Sequence, residues 1–292
     1  MAYLLVARRR SSIMPLLTKT LTDMPRVRQA LLPKPEEALD LPDGLCGLCG
    51  RIGVNELLDG YADGMFVLSH FGPLKWWAPR YRMTLFFDHV RTEKSVHRLL
   101  RNKRFRVTFD QQFAKVVKAC AEPRAGATPL TWITPRIQSL FAAAHAQGHA
   151  HSVEVWDGTN LVGGIYGLAV GKVFFTESQF HTARDASKFG FAVLNRHLQA
   201  WGFAMNDGKH ATRYLADCGM QPITREEFTS ITRRYAGLTG NIGKWKVDQL
   251  LLDDGWDPVN DNGIRATEVL PNCSQCLLTV EELLTTKRGA TW

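Results

Sequence analysis

Six cysteines are present, and four of them form two Cys-x-x-Cys pairs, Cys46 with Cys49 and Cys273 with Cys276. Two thiolates with this spacing can bind one zinc ion, and two such pairs complete the tetrahedron of a structural site. The pairs lie much further apart than in a zinc ribbon, so a shared site requires the two ends of the chain to meet. Four unligated, partly buried thiols are the alternative. In either case no coordination position stays open for catalysis.

A second group of residues that could bind a ligand is basic. It comprises Lys94, His97, Arg98, Arg101, Lys103, Arg104 and Arg106. On a helix that ends near Asn102, Lys94, Arg98 and Arg101 occupy positions i, i+4 and i+7, which lie on one face. Such a face can contact a phosphate backbone without reading bases. A solvated helix face is the alternative interpretation.

Composition narrows the class of partner. The 292 residues include 36 Lys and Arg against 28 Asp and Glu, a formal net charge of +8 that favours an anionic partner, nucleic acid first. A hydrophobic fraction of 45% suffices for a core, and no apolar run is long enough to span a membrane. The first apolar stretch precedes Arg8, the reverse of a secretory signal. We therefore expect a cytoplasmic protein with reduced cysteines and no membrane partner.

The elements that position these residues begin after a basic, proline-punctuated extension, residues 1–45. Hydrophobic patterns over residues 46–125 predict a small N-terminal α/β domain. Its predicted helices are Val54–Phe66, Glu93–Arg101 and Phe113–Ala121, and its predicted strands are Met83–Phe87 and Phe105–Phe109.

A loop rich in Ala, Gly and Pro leads into a second domain, residues 126–239. Predicted helices cover Pro135–Gln147, Ala186–Ala200 and His210–Cys218, and predicted strands cover Ser152–Trp156, Leu161–Val170, Val173–Thr176 and Phe203–Asn206. An antiparallel meander followed by helix, strand and helix indicates an α/β fold of the α+β kind. Residues 240–292 form a C-terminal extension, with Trp245 and Trp256 expected to pack back on the body.

The common catalytic signatures are missing: there is no phosphate loop, no His-Glu-x-x-His and no Gly-x-Ser-x-Gly. Composition and periodicity therefore lead only to a basic α/β protein with an aromatic-rich cleft.

Five ordered sequence blocks carry a more specific resemblance: Thr131–Thr134, Gly148–Trp156, Leu161–Gly167, Phe174–Ser178 and Asp185–Lys188. With weaker matches at Asn55–Leu58 and Trp76–Pro79, they resemble bacterial leucyl/phenylalanyl-tRNA–protein transferases over residues 46–230. The resemblance implies an N-acetyltransferase-like C-terminal domain beside the smaller N-terminal domain. It implies transfer of Leu, Phe or Met from aminoacyl-tRNA, the co-substrate, to acceptor proteins with N-terminal Lys or Arg, which marks them for degradation. It requires no cofactor and suggests a monomer.

The same resemblance implies catalytic residues. Asp207 matches the family's acidic residue that supports the proton-accepting step. Glu177 resembles the carboxylate that holds the acceptor's amino terminus or basic side chain. Lys209 stands where the family has a Gln that handles the attacking amine, and a desolvated Lys can become neutral and act as a base. For Asp207 the alternative is an N-cap of the following helix.

Binding residues are implied as well. Those of the substrate pocket are Ile165, Phe174, Phe180, Ser178 and Gln179. For each of the first three, taken singly, a plain core residue of a strand is the favoured interpretation, and Gln179 replaces a family Met. Trp132 resembles a tryptophan that stacks near the 3′ adenosine of tRNA. The other residues assigned to tRNA are Trp76, Lys94, Arg98, Arg101 and Arg104.

Three functions stay open on the sequence. The first is the transferase acting on protein amino termini. The second is a diverged transferase with another aminoacyl-tRNA or acceptor, suggested by Lys209, by Gln179 and by Leu68, which lies where the family has its second stacking tryptophan. The third is a non-catalytic homologue that binds tRNA or amino-terminal peptides.

Overall fold

The computed structural model describes residues 32–68, 72–91, 94–123, 131–252 and 264–269. Its strands are β1 (Leu45–Cys49), β2 (Phe66–Val67), β3 (Leu74–Trp77), β4 (Tyr81–Leu85), β5 (Arg106–Phe109), β6 (Ala150–Asp157), β7 (Asn160–Val170), β8 (Val173–His181), β9 (Met205–Lys209) and β10 (Gln221–Thr224). Its α-helices are α1 (Val54–Ala62), α2 (Lys94–Arg101), α3 (Phe113–Ala121), α4 (Pro135–Ala146), α5 (Ala186–Ala200), α6 (Arg213–Asp217), α7 (Arg225–Ala236) and α8 (Ala266–Val269). Short 3₁₀ helices cover Pro35–Glu37, Phe87–His89 and Gln249–Leu252.

Two sheets organise these elements. A seven-stranded sheet has the order β10-β4-β9-β8-β7-β6-β5, and a three-stranded sheet has the order β1-β3-β2. Neighbouring strands are antiparallel except β8 and β9, which run parallel. Strands β4 and β5 come from residues 46–125 but pair with β9, β10 and β6 of the second half. The predicted mixed α/β class is confirmed.

The large sheet carries a hydrophobic cluster on each face. Successive strand residues point to opposite sides, and on β7 Ile165 belongs to one cluster while Tyr166 belongs to the other. Helices α1, α3, α4 and α7 pack on what we call the Tyr166 face, and α2, α5 and α6 pack on the Ile165 face. Both faces are therefore covered, which leaves the strand ends and the gaps in the sheet as places for a site.

Caps explain several element boundaries. Thr134 accepts a hydrogen bond from the Ile137 N–H and begins α4, and Gly148, at φ 79°, ends it as predicted. The prediction missed α7, although Thr224 and Glu227 form a capping box that the sequence displays. The predicted start of the helix after β9 was wrong by three residues, because Thr212 is its N-cap.

The segment after α7 returns to the body at Trp245. Its indole stacks on His151 with ring centroids 3.6 Å apart, and its backbone N–H donates to Asp110 Oδ2 at 2.7 Å. The predicted packing of Trp245 is confirmed, and Trp256 lies outside the described residues. None of the helices in the described ranges is long and apolar enough to cross a membrane.

Candidate active site

A gap opens in the seven-stranded sheet between its two parallel strands. β8 and β9 pair only from Val173 with Met205 to Phe175 with Asp207. Beyond that point β8 continues along β7 and β9 continues along β4, so the two strands separate. Residues just past the last pair therefore border an opening in an otherwise continuous sheet.

Two β-bulges turn side chains toward this gap. On β8, Thr176 pairs with Gly167 and Ser178 pairs with Tyr166, so Glu177 is the extra residue. On β9, Asp207 pairs with Thr84 and Lys209 pairs with Met83, so one extra residue again lies between partners. Bulges redirect side chains and recur next to active sites. They bring Glu177 to Lys209 although the strands no longer pair.

Four buried charged groups meet at the gap, and we call Arg82, Glu177, Asp207 and Lys209 the four-charge cluster. Arg82 Nη2 lies 2.5 Å from Asp207 Oδ2, and its Nε donates to Oδ1 at 3.1 Å. Lys209 Nζ donates to Glu177 Oε1 at 2.8 Å and lies 3.7 Å from Asp207 Oδ2. Two carboxylates and two cations thus compensate each other in the interior, as buried charges require.

The backbone at Lys209 is held in an unusual conformation. Its φ is 60°, in the left-handed region that a residue with a long side chain seldom adopts. The Lys209 N–H donates to Asp207 Oδ1 at 2.9 Å, and Lys209 Nζ donates to the Thr176 carbonyl at 2.8 Å. Asp207 therefore positions Lys209 through the main chain, and strain of this kind clusters at functional sites.

Glu177 combines a satisfied oxygen with an unsatisfied one. Oε1 accepts from Lys209 Nζ and from the Tyr61 hydroxyl at 2.9 Å. Oε2 is buried and has no hydrogen-bond partner among the described residues, and the same holds for the Tyr166 hydroxyl. A buried polar atom without a partner is costly and calls for an explanation. A ligand that donates to Oε2 supplies one.

Burial also sets the protonation of the groups around the gap. Burial raises the pKa of Glu177, while the Lys209 ammonium and the Tyr61 hydroxyl oppose that shift. Burial and the nearby Glu177 charge raise the pKa of Tyr61 and of Tyr166 well above the ordinary value. Both tyrosines are therefore neutral hydroxyls that can donate hydrogen bonds.

Asp207 does not cap a helix. The N-cap of α6 is Thr212, whose hydroxyl accepts from the Leu215 N–H at 3.2 Å. The capping interpretation of Asp207 is therefore wrong, and its carboxylate is committed to Arg82 and Lys209 instead.

A protein-family model described as leucyl/phenylalanyl-tRNA protein transferase matches residues 84–233, a range that holds Glu177, Asp207 and Lys209. A protein named leucyl/phenylalanyl-tRNA–protein transferase from Pseudomonas fluorescens is 45% identical over 210 residues, 72% of this chain and 92% of the relative. The chain belongs to the leucyl/phenylalanyl-tRNA–protein transferase family. A relative of that name from Pseudomonas syringae is 45% identical over 204 residues, 70% of this chain and 89% of the relative.

A likeness to solved structures is weaker. The crystal structure of FemX aligns with 61% of this transferase-family chain and 69% of its own, at 11% identity and a TM-score of 0.41. A TM-score below 0.5 does not establish a shared fold.

The residues assigned to the substrate pocket are divided in this transferase-family member between the two faces of the sheet. Ile165 and Phe174 are fully buried in the core of the Ile165 face, as their alternative interpretation has it. Phe180 packs partly buried on the Tyr166 face. Gln179 accepts from the Tyr214 hydroxyl at 3.3 Å, and Ser178 lies opposite Tyr166 across the β7–β8 pair. The structure does not gather these side chains into one pocket.

Of the two tryptophans assigned to tRNA, one must be corrected. Trp76 is fully buried and meets Tyr61 edge-on, with ring centroids 6.5 Å apart. It fills the space that Gly60 leaves, since a Cβ there would lie 2.3 Å from the indole. Trp76 is therefore a core residue and offers no ring to a nucleotide. Trp132 is half-buried against the Tyr166 face.

The basic helix of the transferase-family chain presents its charges outward. Lys94, Arg98 and Arg101 are exposed on α2, while Val96 and Leu99 anchor the helix in the core. Arg104 follows in the next loop, exposed, 3.4 Å from the Asp157 carboxylate and over the Phe105 ring. We call Lys94, Arg98, Arg101 and Arg104 the basic face.

The zinc interpretation is not supported. Cys46 and Cys49 lie on β1, where their thiols donate to the carbonyls of Gly44 and Leu74. Burial raises the pKa of Cys46 to about 12 and of Cys49 to about 11. Within the described residues no group of three or more potential ligands could hold a metal ion. Cys273 and Cys276 lie outside those residues.

Sequence reasoning missed two members of the site. Arg82 lies just before the predicted strand Met83–Phe87 and was not named, and Tyr61 lies within the predicted helix Val54–Phe66 without being assigned to the site. A signal existed for Arg82, because an arginine directly before the predicted strand Met83–Phe87 is seldom buried unless it pairs with a carboxylate. Nothing in the sequence names Asp207 as that carboxylate.

Proposed function

We propose that this chain transfers Leu, Phe or Met from aminoacyl-tRNA to the amino terminus of acceptor proteins that begin with Lys or Arg, and so marks them for degradation. The observation that carries the proposal is 45% identity to a protein named leucyl/phenylalanyl-tRNA–protein transferase across 92% of that relative. Because the donor is charged tRNA, we place the reaction in the cytoplasm, performed by a monomer that needs no metal.

The chemistry asks little of the protein. The acceptor amine attacks the ester carbonyl carbon, a C–N bond forms, and the bond from that carbon to the tRNA 3′ oxygen breaks. The amine loses a proton and the tRNA hydroxyl gains one, so the balance needs no external reagent. Since the ester is already activated, alignment and stabilisation of the tetrahedral oxyanion supply most of the acceleration.

The geometry supports separate roles for the predicted catalytic residues. Glu177 Oε2, which has no partner in the described part of the chain, can accept a hydrogen bond from an acceptor N–H. Asp207 acts as a positioning residue, since both of its oxygens hold Arg82 and one also holds the Lys209 backbone. Lys209 Nζ donates to the Glu177 carboxylate and to the Thr176 carbonyl, which supports a role in holding Glu177 in place.

An N-acetyltransferase-like fold for residues 126–239 is part of the proposal. Its support is the parallel β8–β9 pair that separates after three residues and leaves a gap beside the four-charge cluster. We assign catalysis to 126–239, with 46–125 as the smaller N-terminal domain, 1–45 as an N-terminal extension and 240–292 as the C-terminal extension. Because β4 and β5 of the smaller region complete the large sheet, the two regions form one continuous body.

The basic face is the proposed contact for the tRNA backbone. Its exposed cations fit the sequence-independent recognition of phosphates, which needs charge and not base contacts. Trp132, half-buried at the edge of the Tyr166 face, is the proposed stacking partner for the 3′ end.

The deciding experiment is transfer of radiolabelled Leu, Phe or Met from charged tRNA to casein and to peptides beginning with Arg or Lys. We expect transfer by the wild type and a loss on the order of 100-fold in kcat/KM for Glu177→Gln, which keeps the shape of the side chain. The matched control is Asp63→Ala, which breaks an Arg–Asp pair at the surface, 2.6 Å from Arg233, and should retain activity.

The opposite outcome is also informative. Salt-dependent binding of charged tRNA without transfer of any of the three amino acids would contradict the proposal and identify a homologue that binds without catalysis.

A further inference from the structure

The gap between β8 and β9 holds no net charge. Arg82 and Lys209 contribute two positive charges, and Glu177 and Asp207 contribute two negative ones. Each carboxylate already has a cation within 2.8 Å, Arg82 for Asp207 and Lys209 for Glu177. A site built to bind a cation in the protein interior needs an uncompensated carboxylate, and these two are compensated.

Lys209 is fixed in its position as a counter-ion. Nζ holds both Glu177 Oε1 and the Thr176 carbonyl at 2.8 Å, and it lies over the rings of Phe66 and Tyr61 at 5.6 and 5.8 Å. The left-handed backbone, pinned by Asp207, directs the side chain across the gap. An entering ligand cation would have to displace this ammonium or share its carboxylate.

What remains available is hydrogen bonding without charge. Glu177 Oε2 can accept, and the neutral Tyr166 hydroxyl can donate or accept. These two buried atoms match a polar, uncharged group such as a carboxamide or ureido group, which carries both N–H donors and a C=O acceptor.

We propose that Lys209 is a specificity-determining residue whose ammonium takes the place of the acceptor's positive charge at Glu177. The site then accepts amino-terminal residues with uncharged polar side chains as well as it accepts Arg or Lys. This inference rests on the proposed transfer to protein amino termini, and it states which acceptors that transfer uses.

The test compares two peptides that differ in charge at one place, one beginning with Arg and one with citrulline, its uncharged ureido isostere. For the wild type we expect a ratio of kcat/KM for Arg over citrulline near one. For Lys209→Gln, which leaves Glu177 without a counter-ion, we expect the ratio to rise about tenfold or more, mainly through KM.

A matched control separates this effect from the loss of any partly buried lysine. Lys172→Gln removes an ammonium that binds the Trp201 carbonyl and Asn241 at 2.8 and 2.9 Å, with no carboxylate among these partners. The Arg to citrulline ratio should stay at its wild-type value in Lys172→Gln. An equal ratio in wild type and Lys209→Gln would overturn the inference.

Two further readouts keep the outcome decisive. A wild-type preference for Arg over citrulline of more than about tenfold overturns the inference even if Lys209→Gln fails to fold. Dissociation constants of both peptides, measured by calorimetry on the wild type, give the same ratio without any transfer. Loss of transfer with equal peptide affinities would therefore refute the proposed function and leave the charge assignment of Lys209 supported.

Discussion

The four-charge cluster and the basic face differ in what compensates their charges. In the cluster, each of four buried groups lies against an opposite charge, and Arg82 is 1% exposed. On the basic face, Lys94 and Arg98 are exposed to solvent, where water compensates them. Water screens surface charges, whereas the interior demands a partner for each one. Buried pairs therefore fix local geometry, whereas exposed charges stay available to a partner in solution.

The largest difference between the two regions should appear in the free energy of unfolding when one partner of a buried ion pair is removed. Arg82→Met leaves Asp207 without its bidentate partner, and we expect the free energy of unfolding to fall by about 3–5 kcal/mol in urea titration. The matched control is Arg80→Met, two residues away, whose pair with Asp40 at 2.9 Å is 58% and 77% exposed. That variant should change stability by less than about 1 kcal/mol. Equal losses in the two variants would contradict the distinction.

The exposed region is tested by salt dependence. A plot of the logarithm of the tRNA association constant against the logarithm of salt concentration has a negative slope. In the double variant Lys94→Gln and Arg98→Gln the slope should become shallower by about 1.4 to 1.8, as the loss of two phosphate contacts requires. Filter binding at several salt concentrations measures it. Lys115→Gln combined with Lys118→Gln makes the same charge change on the exposed side of α3 and should leave the slope unchanged if α2 is the contact.

The buried side chain of His151 offers a further test of how the interior treats charge, because burial there favours the neutral imidazole. Burial lowers the pKa of His151 below its ordinary value of 6.5, although hydrogen-bonded Asp110 opposes the shift. As pH falls below 6.5, the unfolded chain takes up a proton that the folded chain resists, so His151 destabilises the fold progressively toward its folded pKa.

The measurement is the difference in free energy of unfolding between wild type and His151→Gln. That difference should shrink when the pH drops from about 7.5 to about 5, because only the wild type carries this penalty. A difference that grows toward acid pH would mean that the folded state favours the charged imidazole.

The smallest effect is expected for buried side chains that are neutral and therefore need no counter-ion. Cys46 and Cys49 are buried with raised pKa values of about 12 and about 11, so thiol reagents should leave them unmodified in the folded protein. Mass spectrometry after brief labelling should find half-buried Cys120 and Cys218 modified before Cys46 and Cys49. Cys46→Ser should also leave the zinc content unchanged, and a lost equivalent of zinc would revive the metal site.

Local pattern sufficed for elements with strong periodicity and clear ends. The helices predicted at Phe113–Ala121 and Ala186–Ala200 have those bounds in the structure. Strands β1 and β3 were missed because nearly every residue in them is buried, so they show no alternation, and their Cys and Trp residues suggested chemistry instead. Trp76 was misassigned for the same reason, since residue type alone does not reveal full burial.

Only part of the candidate site could be predicted from the sequence. Glu177, Asp207 and Lys209 were named through a family resemblance, and the fold brings them together at one gap. The pairing of Arg82 with Asp207 could not be foreseen, nor could the Glu177 oxygen that has no partner among the described residues. The Arg82–Asp207 pair joins positions 125 residues apart, and long-range pairing of that kind depends on strand order.

The sequence by itself determined the family, the mixed α/β class, the basic surface helix and the main helices, because each is written in local order of residues. Tertiary structure alone decided which charges are compensated. Strands β4, β8 and β9 become neighbours only in the folded sheet, and their bulges set Lys209 against Glu177 and Arg82 against Asp207. Burial then made each pairing obligatory, since a charge in the interior persists only beside its opposite.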